Sequence, residues 1–225
     1  MIVVGVIMIL FALWFAASQY TAQMSEEAYK KQDYDKAIAI GNFSHWFNPF
    51  NIGPRMFSAA AMIRKQVDPN IVRSEIDGLH RFHERVQTLY INSGTLYYML
   101  YQYSQNKADL AKSDADLEIA DIMQPNDVLI LNRHAYIAYL VGNRELAEKK
   151  INLALTTGNK NPNFAGYLLI SQIYLEKGNL EGMYQMLKKA NSVIPTPVIQ
   201  KALEEYEQGQ FKRDKIPVYF PGVDI

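Results

Sequence analysis

The stretch that decides the fold is Gly142-Asn143-Arg144, followed by Ala147 and then Ala154. It returns 36 residues later as Gly178-Asn179-Leu180, with Met183 and Ala190 at the matching places. Small side chains at fixed spacing let two antiparallel helices approach closely, and a Gly-Asn turn reverses the chain between them. Each block also ends in a turn, at Thr157, Gly158 and Asn159 in one case and at Pro195 in the other. Proline stops the second helix because it lacks the amide proton and clashes with the preceding turn.

Upstream the same frame recurs twice. Asp33, Tyr34, Ala37 and Pro49 form one ending, and Asp109, Leu110, Ala120 and Pro125 form another. These spacings resemble the tetratricopeptide repeat family, whose unit is about 34 residues of helix, turn and helix. Residues 128–162 carry Ala135, Gly142, Ala147 and Ala154 at consensus positions; residues 163–195 carry Tyr174, Gly178, Ala190 and Pro195. The repeat ending at Pro125 has Ser113 where the family usually has alanine, and the first carries Gly41 and Ser44 on its second helix. Between Asn51 and Tyr90 the spacing breaks, because Pro49 and Pro125 stand 76 residues apart. A longer helix over residues 70–90 would absorb the excess. At the other end, residues 198–206 read as the first half of a further repeat, with Gln200, Lys201, Glu204, Glu205 and Glu207 as a polar outer face. The tail beyond Lys215 contains Pro217 and Pro221 and is expected to be extended, lying along the stack or serving as a peptide for another protein.

Ahead of the repeats, residues 1–17 are apolar without a single charge. In a helix they rise about 26 Å, near the short limit for crossing hydrocarbon. No Lys or Arg precedes the run, which argues for an uncleaved anchor over a cleaved signal peptide with Ala16 and Ser18 before the cut. The expected fold is therefore all-α: an N-terminal transmembrane helix (residues 1–20), a right-handed α-solenoid of helical hairpins like that of the repeat family (25–211), and an extended tail (212–225).

Composition removes several chemistries. The chain has no cysteine, so disulfides, thiol nucleophiles and Cys-ligated metals are out. Its 23 basic side chains balance 23 acidic ones, and no basic stripe is interleaved with aromatics, which excludes a nucleic-acid groove. Neither a Gly-x-Ser-x-Gly setting nor a phosphate-cradling glycine loop is present. His80 and His83, beside Glu84, have a weak metal-ligand spacing and read as a polar face with Arg81 and Arg85; His134 reads as an interior histidine. Asp114, Asp116, Glu118 and Asp121 read as solvated surface. Neither enzymatic activity nor a cofactor or metal is expected.

The resemblance to the repeat family implies that the first helix of each repeat lines a concave groove. It places Tyr98 and Gln102, then Asn132, Tyr136 and Tyr139, then Leu168 and Gln172 along that groove. Aromatic and amide side chains suit a protein or extended peptide, through stacking and hydrogen bonds. Phe43, Trp46, Phe47 and Phe50 form a separate aromatic cluster, read either as a cap on the first repeat's core or as a surface resting on the bilayer. Lys30 and Lys31 after the apolar run would by themselves put the body in the cytoplasm. The apolar run leading through residues 25–29 into Asp33, Tyr34, Ala37, Asn48 and Pro49 also looks like the tail of bacterial O-antigen ligase or polymerase membrane proteins, which end in a last span and a periplasmic helical-repeat domain. That resemblance implies a body on the periplasmic face of the bacterial inner membrane, and the one apolar run makes the expected protein single-pass.

The expected function is a membrane-anchored scaffold of the cell envelope that binds protein and touches lipid through residues 1–20. The alternative is a detached accessory domain that works with a multispan glycan-assembly protein.

Overall fold

The computed structural model describes residues 2–81, 86–157, 163–212, 216–219 and 221. Among them every regular element is a helix: α1 (Ile2–Lys30), α2 (Tyr34–Phe47), α3 (Ile52–Arg64), α4 (Pro69–His80), α5 (Gln87–Ser104), α6 (Lys107–Met123), α7 (Val128–Leu140), α8 (Arg144–Thr157), α9 (Phe164–Glu176), α10 (Leu180–Val193) and α11 (Pro197–Glu207). The chain forms two compact units, Met1–Asp116 and Leu117–Ile225.

A single backbone device organises the helices into hairpins. Gln32, Gln66, Gln105, Gly142, Gly178 and Gly209 all have positive φ, and each ends the first helix of a pair. The left-handed residue turns the last amide back onto helix carbonyls and redirects the chain. Capping side chains start many of the following elements: Asp33 accepts from the amide of Lys36, Asp127 from Leu129 and Ile130, and Asn179 from Gly182. The pairs are α1 with α2, α3 with α4, α5 with α6, α7 with α8 and α9 with α10, while α11 stands as the first helix of a sixth.

The stretch where the sequence spacing breaks thus holds a regular repeat. Gln66 follows Gln32 by 34 residues, but glutamine carries no visible turn signal. The single helix expected over residues 70–90 is not formed. Helix α4 buries Val72, Ile76 and Leu79 and stops at His80, whereas Val86 is extended (φ −104°, ψ 104°) and α5 starts afresh at Gln87. The additional length sits in the 18 residues of α5. Phe82, His83, Glu84 and Arg85 lie outside the described residues, as do Gly158, Asn159 and Pro162.

In the first unit the core runs through Ala59, Val72, Ile76, Leu79, Leu89, Leu96 and Leu100. Two cations bridge its helices, Arg55 buried and Arg73 partly exposed. Arg55 donates to Glu75 at 2.9 Å, and Arg73 forms a two-pronged pair with buried Asp109 at 2.6 and 2.9 Å. In the second unit Leu168, Met183, Leu187, Ala190, Ile199 and Ala202 pack together with Ile216 from the tail. Helix α11 closes that unit: Ile199 and Ala202 face inward, while Gln200, Lys201, Glu204 and Glu207 are exposed.

Helix α1 has two halves of different character. Val4, Val6 and the apolar side chains of residues 7–11 and 13 are exposed, whereas Ser18, Ser25 and Ala28 are buried against the first repeats. Its segment Val6–Lys30 is one helix long and apolar enough to cross a membrane. Trp14 donates to the carbonyl of Phe47, and Asn48 and Asn51 both hold Ser18, so the corner between α2 and α3 is fastened midway along α1.

The departures from the repeat consensus in the first repeat have a steric cause. A Cβ on Gly41 would stand 2.3 Å from Ser58 Cβ and 3.1 Å from the Pro54 carbonyl oxygen. Glycine there lets α2 and α3 touch. Gly41→Ala is expected to cost about 1–3 kcal/mol, as overpacking does. Thermal unfolding followed by circular dichroism reads this as a drop of a few degrees, and an unchanged midpoint would refute the close contact.

Candidate peptide-binding face

All seven residues expected to line the groove lie on first helices of hairpins. In the first unit, Tyr98 is buried in α5 and its hydroxyl accepts from the exposed Gln102 amide at 2.9 Å. In the second unit, α7 and α9 lie side by side. Asn132 and Tyr136 on α7, and Leu168 and Gln172 on α9, are buried, and Tyr139 is half-buried.

Three of the second unit's five are held by two separate sets of hydrogen bonds. The Asn132 amide oxygen accepts from Asn163 at 3.0 Å, which braces the residue that caps α9. The Gln172 amide nitrogen donates to Glu176 at 2.9 Å, and the Tyr139 hydroxyl donates to the same carboxylate oxygen at 2.6 Å. Arg144 pairs with Glu176 at 2.7 Å while lying 3.8 Å over the Tyr139 ring. With its nitrogen thus held, Gln172 aims its oxygen outward from α9, where it accepts the backbone amide of Ile216 at 2.6 Å. Ile216 is buried in the cluster that contains Leu168. Further along the tail, Tyr219 stacks on Phe164 at 6.4 Å between ring centres, and Arg133 donates to the Pro221 carbonyl at 3.0 Å.

Arg133, Phe164, Arg144 and Glu176 were not singled out from the sequence. Only Glu176 left a signal, four residues after Gln172 on the same helix face. Arg133 and Phe164 are recognisable only once the tail is placed.

The electrostatics follow the burial. Burial pushes the Tyr139 phenol up to about 12, with the hydrogen bond to Glu176 adding to it. Burial would raise Glu176 too, but hydrogen bonds from Tyr139, Gln172 and Arg144 outweigh it and hold the carboxyl below its ordinary value. Burial lowers Arg133 to about 10, with Asp127 opposing.

The other candidates resolve as structural. His80 faces Asp116 at 3.4 Å and packs on the Tyr90 ring. Among the described residues no group of three or more His, Asp or Glu is placed to hold a metal ion. His134 is buried and shares a hydrogen bond of 3.0 Å with Asp121. Asp121 itself is not solvated surface: it is 3% exposed and also accepts from Lys150. The aromatic cluster does not cap a core, since Trp46 is 81% exposed and Phe43 and Phe50 are also exposed. A cleft of about 310 Å³ between α8, α9 and α10 is lined by Asn152, Leu155, Thr156, Tyr167, Tyr174, Met186 and Lys189, none of them expected site residues.

No protein-family model and no curated protein matches the sequence. Solved structures do match. The type IV pilus biogenesis factor PilW aligns with a TM-score of 0.68 at 15% identity, covering 86% of this chain and 87% of PilW. A tetratricopeptide repeat protein from Parabacteroides merdae aligns at 0.65 with 16% identity, over 87% of this chain and 75% of that one. YrrB, described as a tetratricopeptide repeat protein with an unusual peptide-binding site, aligns at 0.61 with 12% identity, over 82% and 90%. The fold is that of tetratricopeptide-repeat proteins.

Because the folded phenol of Tyr139 titrates above its unfolded value of 10.0, the fold favours the protonated form. This contribution is full below about pH 10 and is lost as pH rises through about 12. The urea midpoint should fall across that window, and fall less in Tyr139→Phe. Identical profiles for parent and variant would sever the link between Tyr139 and Glu176.

Proposed function

We propose that this chain is a membrane-tethered interaction module of the bacterial cell envelope, and that the first helices of its hairpins hold an extended segment of a partner protein. The observation that carries the reading is the pairing of Gln172 and Arg133 with the backbone of an extended segment, one through an amide oxygen and the other through a guanidinium. Backbone-directed side chains give affinity for a strand whatever its sequence, while neighbouring apolar and aromatic groups select its side chains. Residues 25–211 form the binding body, 212–225 the tail and 1–20 the tether. The work is binding rather than catalysis, in keeping with a fold whose solved neighbours include a peptide-binding protein. The names of PilW and YrrB, a pilus factor and a peptide-binding protein, are in keeping with this reading. No observation favours the glycan-assembly alternative.

Membrane placement is supported by continuity of apolar surface. The exposed half of α1 meets the aromatic corner at Trp14, which tilts against Phe47 at 6.4 Å, and Phe47 in turn stacks on Phe43. Exposed Trp46 and Phe50 stand on that same corner. Aromatic rings at the end of a span favour the headgroup region, where one edge is wet and the other apolar. The corner sets the depth of the tether, and the body lies on the periplasmic side.

Two experiments test this reading. A photo-reactive amino acid at Gln102 or Tyr139 should cross-link a discrete partner in cells, and one at exposed Glu118 on a second helix should not; equal yields at all three would remove the face. With Trp14→Phe, Trp46 is the remaining tryptophan. In reconstituted vesicles it should be quenched more by lipids brominated near the headgroup than near the chain end, and phosphatase fused to the C-terminus should be active in cells. An unquenched Trp46 would detach the corner from the bilayer, and an inactive fusion would reverse the sidedness.

A further inference from the structure

The face that suits an extended partner in the second unit is already filled. Five residue steps, from Ile216 to Pro221, can span up to about 16 Å. That is enough to cross from α9 to the neighbouring α7, since packed helices lie about 8–10 Å apart. Ile216 enters the apolar floor at Leu168, 4% exposed, and its amide is read by Gln172. Tyr219 lies on Phe164, and the Pro221 carbonyl is taken by Arg133. Two backbone groups are therefore bonded to two separate helices, with Ile216 buried and the exposed Tyr219 laid over Phe164 three residues further on. This is how a bound peptide sits, and Pro217 and Pro221 hold the strand extended with little entropy to lose.

We propose that the tail is an intramolecular ligand of this face, and that the partner bears an extended segment of the same chemistry: a branched apolar residue followed by proline, with an aromatic ring two positions further on. The partner gains the face by displacing the tail. A short tether holds the tail near its seat at an effective concentration on the order of millimolar. A free segment of equal intrinsic affinity therefore binds with its apparent affinity reduced by the fraction of molecules whose seat is open. The proposal rests on the binding reading above and specifies its partner and its control.

The test uses the full chain in detergent and a fluorescent peptide with the sequence of residues 212–225. Ile216→Glu places a carboxylate against Leu168 and should unseat the tail in cis. This variant should bind the peptide at least about 10-fold more tightly than the parent does, in line with an open seat. Equal affinity for parent and variant, or no binding to either, overturns the proposal. A second variant, Phe164→Cys with Tyr219→Cys in this cysteine-free chain, reads the seat directly. A short bis-maleimide should link the two thiols within one chain and abolish the peptide binding that remains. Failure to form the intramolecular link overturns the proposal without reference to Ile216→Glu. Links that form between two chains would assign the seat to a tail exchanged between copies and overturn it as well. Cellular cross-links at Tyr139 that are equally strong in parent and Ile216→Glu leave the binding reading standing and remove the control by the tail. Peptide capture by the unseated variant with no cellular cross-link does the reverse.

Discussion

A pair of antiparallel helices has more apolar surface than the two can cover for each other, and everything else in this structure answers that constraint. Each hairpin buries its remaining face against the next, so the core is continuous within a unit. The close approach this requires is set by small residues, with Ala37, Ala61, Ala135, Ala147 and Ala154 all fully buried. Where alanine is still too large, Gly41 takes its place and meets Ser58. The ends of such a stack need a different solution from its middle. At one end α1 continues beyond the first repeat as a bare apolar rod, and at the other α11 turns a charged face outward.

The same constraint explains why the first helices keep a side that packing does not cover. Their partners within each hairpin and in neighbouring hairpins cover two sides, leaving a third that neither can reach. In the second unit that side holds amides, a tyrosine and an arginine, and polar groups left there without partners would be costly once anything apolar covers them. The tail meets two of them, the Gln172 oxygen through the Ile216 amide and Arg133 through the Pro221 carbonyl, while Asn132 pairs with Asn163 and Tyr139 with Glu176.

Much of this was legible from residue spacing. The Gly-Asn turns at Gly142 and Gly178 are direct signals, because glycine is the residue that adopts a left-handed conformation without strain. The alanines around them follow the same period. The turns at Gln66 and Gln105 adopt a similar conformation with an ordinary side chain, so the excess length was assigned to a longer second helix over residues 70–90, when it lies in α5. Charged residues were the least legible. Asp121 read as surface in an acidic run and Asp109 only as part of the repeat frame, yet both are buried beside cations from elsewhere in the chain, Lys150 in one case and Arg73 in the other.

What the sequence by itself determined is the local grammar: helices where the apolar period is 3.6, a reversal wherever glycine or a capping Asp or Asn allows one, an apolar rod at the front, and a non-helical tail where two prolines forbid a helix. These depend on interactions within a few residues, which order along the chain specifies directly. Only the tertiary structure decided which polar side chains would be paired, which aromatics would remain exposed, and that Ile216, Tyr219 and Pro221 would meet side chains of α7 and α9. Those outcomes join positions as far apart as Arg133 and Pro221, 88 residues along the chain. Such pairings follow from which surfaces stacking leaves uncovered, and spacing along a chain carries no record of that.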